Sequence, residues 1–342
     1  MPKITVIVTT YNLEHFIAKF FDELFAQTFQ DFNILVVDDC SKDDTVNIVR
    51  NYMERYPGRI TDVFLEENLG KPALARNVAL DSGKIDSEFI VFLDGDDSIE
   101  PEYLETLHDL IQEPGTDIAV CAYDRVEFDT GRVRCVEMQK FPEVIEKPLE
   151  SEIAALINAA IWNKLIRVSL IADTRFSNIS VGEDACFMLR LYTKCRKIRF
   201  TSQVLIHYKV HRASVISNTK LKDIHDFAEE LKKLYNESSN VCRTDIIEQS
   251  AFLHIGMSMA IRANESLEIN TREHLSWTRT YFVENFKLFK GSRFLHLSSL
   301  RNRGMRGWGI WFCLLLYRIY IPGFFLLLYD IYTKTTRKDI KY

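Results

Sequence analysis

The sequence has no Cys-x-x-Cys pair, and its seven cysteines, at positions 40, 121, 135, 186, 195, 242 and 313, are odd in number. Neither a zinc site nor a closed disulfide framework is therefore expected, and a reducing compartment suits the chain best. It also lacks a surplus of basic residues. The formal net charge is -5, whereas a dedicated nucleic-acid binder needs excess Lys and Arg to displace counterions from phosphates, so no nucleic-acid partner is expected. No internal repeat or low-complexity tract is present. The opening MPKITVIVTTYN carries a single Lys ahead of a short apolar run, too brief and too weakly charged to read as a signal peptide. What remains is 342 residues at 47% hydrophobic, enough for one large or two ordinary domains with a substantial core.

The first half alternates in period. KITVIVTT (3–10), FNILVVDD (32–39), TDVFLEE and SEFIVFLD read as strands. LEHFIAKFFDELFAQ (13–27), DDTVNIVRNYMERY and GKPALARNVALD read as the helices between them, the second opened by Ser41 and Asp44 in capping-box spacing. Strands of nearly unbroken Val, Ile and Leu are buried on both faces, which predicts a mostly parallel α/β sheet flanked by helices. Further on, DIAVCAYDRVEFD and RVRCVEMQK read as a hairpin or as edge strands around the turn at Asp129–Gly131, EIAALINAAIWNKLIRVSLI and VGEDACFMLRLYTKC as helical, and IRFTSQVLIHYKVH as a strand.

In such sheets ligands sit beyond the carboxyl ends of the strands. Three of those ends are polar here: Thr9 to Asn12, Asp38 with Asp39, and Asp94, Asp96 and Asp97 after FIVFL. Two aspartates one residue apart can aim oxygens at one point, but they repel unless a cation sits there. Hard Mg²⁺ or Mn²⁺, sharing its shell with a diphosphate, is the natural occupant, a solvated turn being the other reading of the same residues.

The ordered motifs VIVTTYN, ILVVDDCSKDDT, ENLGKPALARN, FIVFLDGDD and VGEDACF resemble those of inverting nucleotide-sugar glycosyltransferases of family 2, with the GT-A fold. The resemblance covers residues 3 to about 215 and implies specific roles. Thr9 and Tyr11 would line the nucleotide pocket, and Asp39, beside Asp38, would accept the imide N–H of uracil, unless it only caps the next helix. Asn68 and Gly70 would shape a loop, and Arg76 would reach the donor if it is not merely a surface ion-pair partner. Asp94 would bind ribose or sugar and share the metal with Asp96, supported by Asp97. Asp184 would be the general base, oriented with Glu183 at a helix start where plain capping is the competing role. Arg212 and Ser214 would contact the donor phosphates, and His211 would complete the metal shell or serve as an ordinary histidine. WNKL is similar to members that build bacterial surface polysaccharide, and it places Asn163 and Lys164 toward the acceptor.

The C-terminal stretch departs from the rest. Residues 301–342 hold eight Lys or Arg against two Asp, a net +6, around the aromatic-rich run Trp308–Tyr329. Such a segment attracts anionic headgroups. Arg318 and Pro322 interrupt the run, and a mid-bilayer Arg costs about 2.5–3.5 kcal/mol. Two short interfacial segments, one span and a buried helix pair are the open readings. The expected organisation is a catalytic domain over 1–215 (nucleotide half 1–97, acceptor half 98–215), a helical region over 216–300 and a membrane-associating tail over 301–342. The expected function is metal-dependent transfer from a UDP-sugar to a glycan or lipid-linked acceptor at the cytoplasmic face of the membrane. A sugar nucleotidyltransferase is disfavoured because TTYNLEH stands where a Gly-rich basic loop belongs. A non-catalytic sugar-nucleotide binder is the third reading.

Overall fold

A computed structural model describes residues 2–210, 219–239, 244–266, 269–286, 293–301 and 304–336, with the side chains of 239, 304–306 and 332–336 excepted. The expected domain boundary near residue 215 lies outside these residues. The chain forms two compact units. One comprises the residues up to Pro148 and those from Ala159 onward to Val210; the other comprises Leu149–Asn158 and the described residues beyond 218.

The first unit is built on one sheet. Its strands are β1 (Ile4–Thr10), β2 (Phe32–Asp38), β3 (Ile60–Phe64), β4 (Phe89–Asp94), β5 (Ser98–Ile99), β6 (Ile118–Glu127), β7 (Val133–Glu137), β8 (Val144–Glu146), β9 (Lys164–Arg167) and β10 (Lys197–Val210). They lie in the order β3-β2-β1-β4-β9-β6-β10-β5, with β7 on β6 and β8 on β10. β1, β2, β3 and β4 pair in parallel, as does β6 with β10. β9 runs against both β4 and β6, and β5, β7 and β8 are also antiparallel. The sheet is thus mixed rather than mostly parallel, because a short strand slots between its two halves.

That strand corrects the reading of 152–171 as one helix. The segment holds a 3₁₀ turn at Ala154–Leu156, β9, and the one-turn helix α5 (Val168–Ile171). Its apolar residues are buried by sheet pairing, so helical spacing there was incidental. Elsewhere periodicity held. Helix α1 (Ile17–Phe25) buries Ile17, Phe20, Phe21 and Leu24, one face at i, i+3, i+4 and i+7. Helices α2 (Thr45–Arg55), α3 (Pro72–Asp81), α4 (Tyr103–Gln112) and α6 (Glu183–Lys194) complete this unit. The capping box does not form. α2 starts at Thr45, and the Ser41 hydroxyl donates instead to Asp38 Oδ1 at 2.6 Å.

Phe89 through Leu93 are each at most 2% exposed. Each such side chain contributes about 1.5–3 kcal/mol on burial, which anchors β4 and fixes where its acidic end emerges.

The second unit is helical: Leu221–Ser239, Asp245–Ala251 running through a π-helical segment (Phe252–Met259) into Ala260–Glu265, Thr271–Asn285, Leu297–Leu300, Gly304–Arg318 and Gly323–Thr336. Asn270 caps the Thr271 helix by accepting the amides of Arg272 and Glu273. Pro322 separates the last two helices, of 15 and 14 residues. At about 1.5 Å per residue neither reaches the roughly 30 Å of a hydrocarbon core, and no helix among the described residues is long and apolar enough to cross a membrane. Ile310, Leu314, Tyr317, Leu326 and Tyr329 pack inward. Trp308, Ile319, Tyr320, Ile321, Phe324, Leu327, Leu328 and Ile331 are exposed.

Candidate active site

Register brings the polar strand ends together. Thr9 lies opposite Asp94, and Thr10 opposite Asp38. Asp38, expected in the donor pocket, is fully buried and spent inside the protein. Its carboxylate accepts from the Thr10 hydroxyl at 2.8 Å and from the Ser41 amide and hydroxyl at 2.8 and 2.6 Å. Asn12, at φ 53°, cross-braces the same two ends: its amide donates to Ser41 Oγ and its Oδ1 accepts from the Lys42 amide. Tyr11 beside it is 48% exposed, its ring available for stacking.

Asp39 caps no helix. Its carboxylate accepts the amides of Leu69 at 2.6 Å and Gly70 at 3.2 Å, and its carbonyl accepts from Asn68 Nδ2 at 2.9 Å. Gly70 sits at φ 74°, where a side chain would be strained. Asn68 and Gly70 therefore do shape a loop, with Asp39 as its anchor. A carboxylate has lone pairs beyond the two used here, so Asp39 retains capacity for a ligand donor.

Arg76 differs from expectation. Its side chain is only 6% exposed, and it links two carboxylates rather than extending outward: Nη2 donates to Asp94 Oδ1 at 2.9 Å and Nη1 to Asp184 Oδ1 at 3.0 Å. The neighbouring Asn77 exchanges two hydrogen bonds with the Phe176 backbone, and Phe176 stacks on Phe187 of α6 at 3.9 Å. These contacts fix α3 against α6. One guanidinium thus joins the acidic end of β4 to the start of α6.

The acidic turn is clamped from β10. The Lys209 amide donates to Asp97 Oδ1 at 3.0 Å, and its ammonium to the Asp96 carbonyl at 2.6 Å. Asp97 is buried, and its Oδ2 has no hydrogen-bond partner. Burial, then repulsion from Asp94 and Asp96, pushes its carboxyl well above the usual range. Carboxylate oxygens are the hard donors that suit a divalent cation, although Asp94 is also engaged by Arg76. No group of three or more metal-ligating side chains is assembled among the described residues. His211, Arg212 and Ser214 lie outside those residues.

His207, one strand pair away, is a structural tie. Its two ring nitrogens meet Asp124 Oδ1 and Glu100 Oε1, both at 2.9 Å. Nothing in the sequence distinguished Lys209 from an ordinary polar residue.

Glu183 and Asp184 open α6 after Gly182, whose φ of 78° turns the chain into the helix. The helix dipole favours their charge, but burial raises both carboxyls, with repulsion from Asp184 adding to the rise at Glu183 and repulsion from Asp94 adding to that at Asp184. Asp184 is further held by the backbone amide of Ile161, a contact that carries no side-chain signal.

Asn163 and Lys164 do not face an acceptor: both are 0% exposed. Asn163 Nδ2 donates to the Cys121 carbonyl at 2.8 Å, so β9 starts locked to β6. Trp162 between them and Ile161 stacks on Tyr208 at 5.3 Å.

Comparisons with known proteins bear on the family and the fold. A family model described as Glycosyl transferase family 2 matches residues 5–191, more than half of the chain. The poly(ribitol-phosphate) beta-N-acetylglucosaminyltransferase TarS of Staphylococcus aureus is 27% identical over 289 residues, covering 81% of this chain and 48% of that protein. Glycosyltransferase GlyA of Streptococcus pneumoniae is 30% identical over 224 residues, covering 62% of this chain and 31% of that protein. The matched regions thus span half or less of these relatives. The crystal structure of S. aureus TarS 1–349 superposes with a TM-score of 0.68 at 26% identity, covering 98% of this chain and 92% of that one.

Proposed function

Because the chain belongs to glycosyl transferase family 2 and is a glycosyltransferase, we propose that it moves a sugar from a UDP-sugar to a hydroxyl of a surface-glycan acceptor, with inversion at the anomeric carbon. The nucleotidyltransferase and non-catalytic readings fall with the family. The observation that carries the proposal is the Arg76 bridge, which sets a raised carboxylate, Asp184, one guanidinium away from the acidic end of β4. Support for the donor comes from TarS, which has been crystallised with UDP and with UDP-GlcNAc.

In this reading Tyr11 stacks on the uracil, Thr9 contributes its hydroxyl and Asp39 accepts the imide N–H. Asp184 takes the proton of the acceptor hydroxyl as its oxygen attacks the anomeric carbon. The bond from that carbon to the diphosphate oxygen breaks, and UDP leaves with the electron pair. A single displacement inverts the centre. The raised carboxyl places the base nearer to neutrality, where proton transfer is most effective. Glu183 orients the base or the acceptor. Asp94 and Asp96, with His211, would hold Mg²⁺ or Mn²⁺, which supplies Lewis-acid stabilisation of the departing diphosphate.

The reaction is placed at the cytoplasmic face of the membrane, next to lipid-linked acceptors. The exposed apolar face of residues 319–331 and the basic composition of 301–342 support that placement. Asp184→Asn tests the core of the reading. Turnover should vanish while the thermal shift produced by UDP-sugar persists, since ligand binding to the folded state raises its apparent stability. Unchanged turnover would remove Asp184 as the base.

A further inference from the structure

Lys164 is a lysine with no exposed surface, and burying an ammonium is costly unless its charge and its hydrogen bonds are answered. Its Nζ donates to Asn163 Oδ1 at 2.8 Å and to the Ala160 carbonyl. Asn163 is in turn pinned to β6, its Nδ2 donating to the Cys121 carbonyl at 2.8 Å and its own carbonyl accepting the Cys121 amide at 3.1 Å. The lysine therefore staples the 160–164 turn shut. That turn presents the Ile161 amide to the Asp184 carboxylate, and Lys164 is near enough for its charge to act on Asp184 directly.

We propose that Lys164 is a positioning residue for sugar transfer: it holds the turn that grips Asp184 and adds a second positive charge, beside Arg76, that keeps this carboxylate ionised. The inference rests on the reading of Asp184 as the base. The charged and titratable groups around Asp184 are Glu183 on its own helix, Arg76 from α3, Asp94 from β4 and Lys164 from β9. Around Lys164 they are Asp184 and the Cys121 thiol of β6, which burial pushes up to about 12 and so keeps neutral. Two acids thus confront two cations at Asp184. Burial brings Lys164 itself down to about 7, so its charge is present on the acidic side of neutrality, where a base begins to lose activity by protonation.

Removing that charge leaves two acidic neighbours against one guanidinium, and Asp184 then keeps its proton to higher pH. A nearby opposite charge moves a carboxyl by roughly 1–3 pH units. The test is the pH dependence of kcat/KM in Lys164→Met, Lys164→Gln and Lys164→Arg. In the Met and Gln variants the acidic limb should move alkaline by about one pH unit, a roughly tenfold loss below the limb that closes at higher pH. Donor KM should not change, and Lys164→Arg should keep the wild-type limb. If Lys164→Met loses its cooperative thermal transition, the Gln and Arg variants decide the matter. An equal loss at every pH, with the limb unmoved in the uncharged variants, overturns the inference. Should Asp184→Asn retain turnover, base and positioning residue fall together; an inactive Asp184→Asn with an unmoved limb removes Lys164 alone.

Discussion

Replacing Arg76 with methionine keeps most of the side-chain volume and deletes the guanidinium that joins Asp94 to Asp184. With the side chain 6% exposed, water cannot easily take over either bond, so the relevant scale is that of breaking a buried ion pair from one side, about 3–5 kcal/mol. In a unit of roughly 200 residues each kcal/mol lowers the unfolding midpoint by about 2–4 °C, so a fall of roughly 6–20 °C is expected. The sign of the pH dependence follows from Asp184. Burial raises this carboxyl even with Arg76 present, and without Arg76 it rises further. The folded variant then binds a proton that its unfolded chain releases, so its deficit is greatest at alkaline pH and shrinks as pH falls through the raised value. Thermal unfolding followed at about pH 5 and about pH 8, alongside turnover, checks all of this. A midpoint unchanged at both pH values would show that the Arg76 guanidinium is not desolvated as described, and the argument would fail.

Other outcomes follow from the same structure. Half-burial opposes charge on His207, but its bonds to Glu100 and Asp124 outweigh it and raise the imidazole; that contribution is full below about 6.5 and fades as pH rises through the raised value. His207→Gln should therefore cost about 1 kcal/mol in mildly acidic urea titrations and less in alkaline ones, and a pH-independent cost would refute the tie. For the C-terminal helices, Ile321→Ser, Phe324→Ser and Leu327→Ser together should abolish co-sedimentation with anionic vesicles, since each exposed apolar side chain is worth about 1.5–3 kcal/mol when buried. A wild-type protein that stays in the supernatant would end the membrane assignment.

The parallel half of the sheet could be read from the sequence because β1, β2 and β4 are largely apolar runs with polar ends, and the chain does carry those ends to one edge, Thr9 against Asp94 and Thr10 against Asp38. The hairpin around Asp129–Gly131 announced itself through turn chemistry and formed as β6 and β7. β9 did not, because a four-residue strand with only Leu165 and Ile166 apolar, set in a longer apolar stretch, looks the same as part of a buried helix. Within the site, residue type pointed to the acids but not to their partners. Arg76 reads as a helix-surface arginine until α6 folds over it, Asp38 looks as available as Asp39, and Ile161 acts through a backbone amide that any residue would supply. Lys164 misled for a related reason: lysines are usually exposed, and only the sheet shows this one enclosed.

The path of the chain between the two units has a practical consequence. Leu149–Asn158 leaves the sheet-bearing unit and belongs to the helical one, where Ala154–Leu156 packs with the Asp245–Ala251 helix and the Glu150 carbonyl accepts from Arg293 Nη2 at 3.2 Å. No single cut separates these bodies. A gene shortened after Val210 to yield a minimal enzyme would strip this ten-residue excursion of its hosts, and the loosened stretch would end only three residues before the amide that grips Asp184. Loss of activity in such a truncate would therefore say nothing about whether the helical body touches sugars, and dissecting the two demands grafting or point changes rather than scissors.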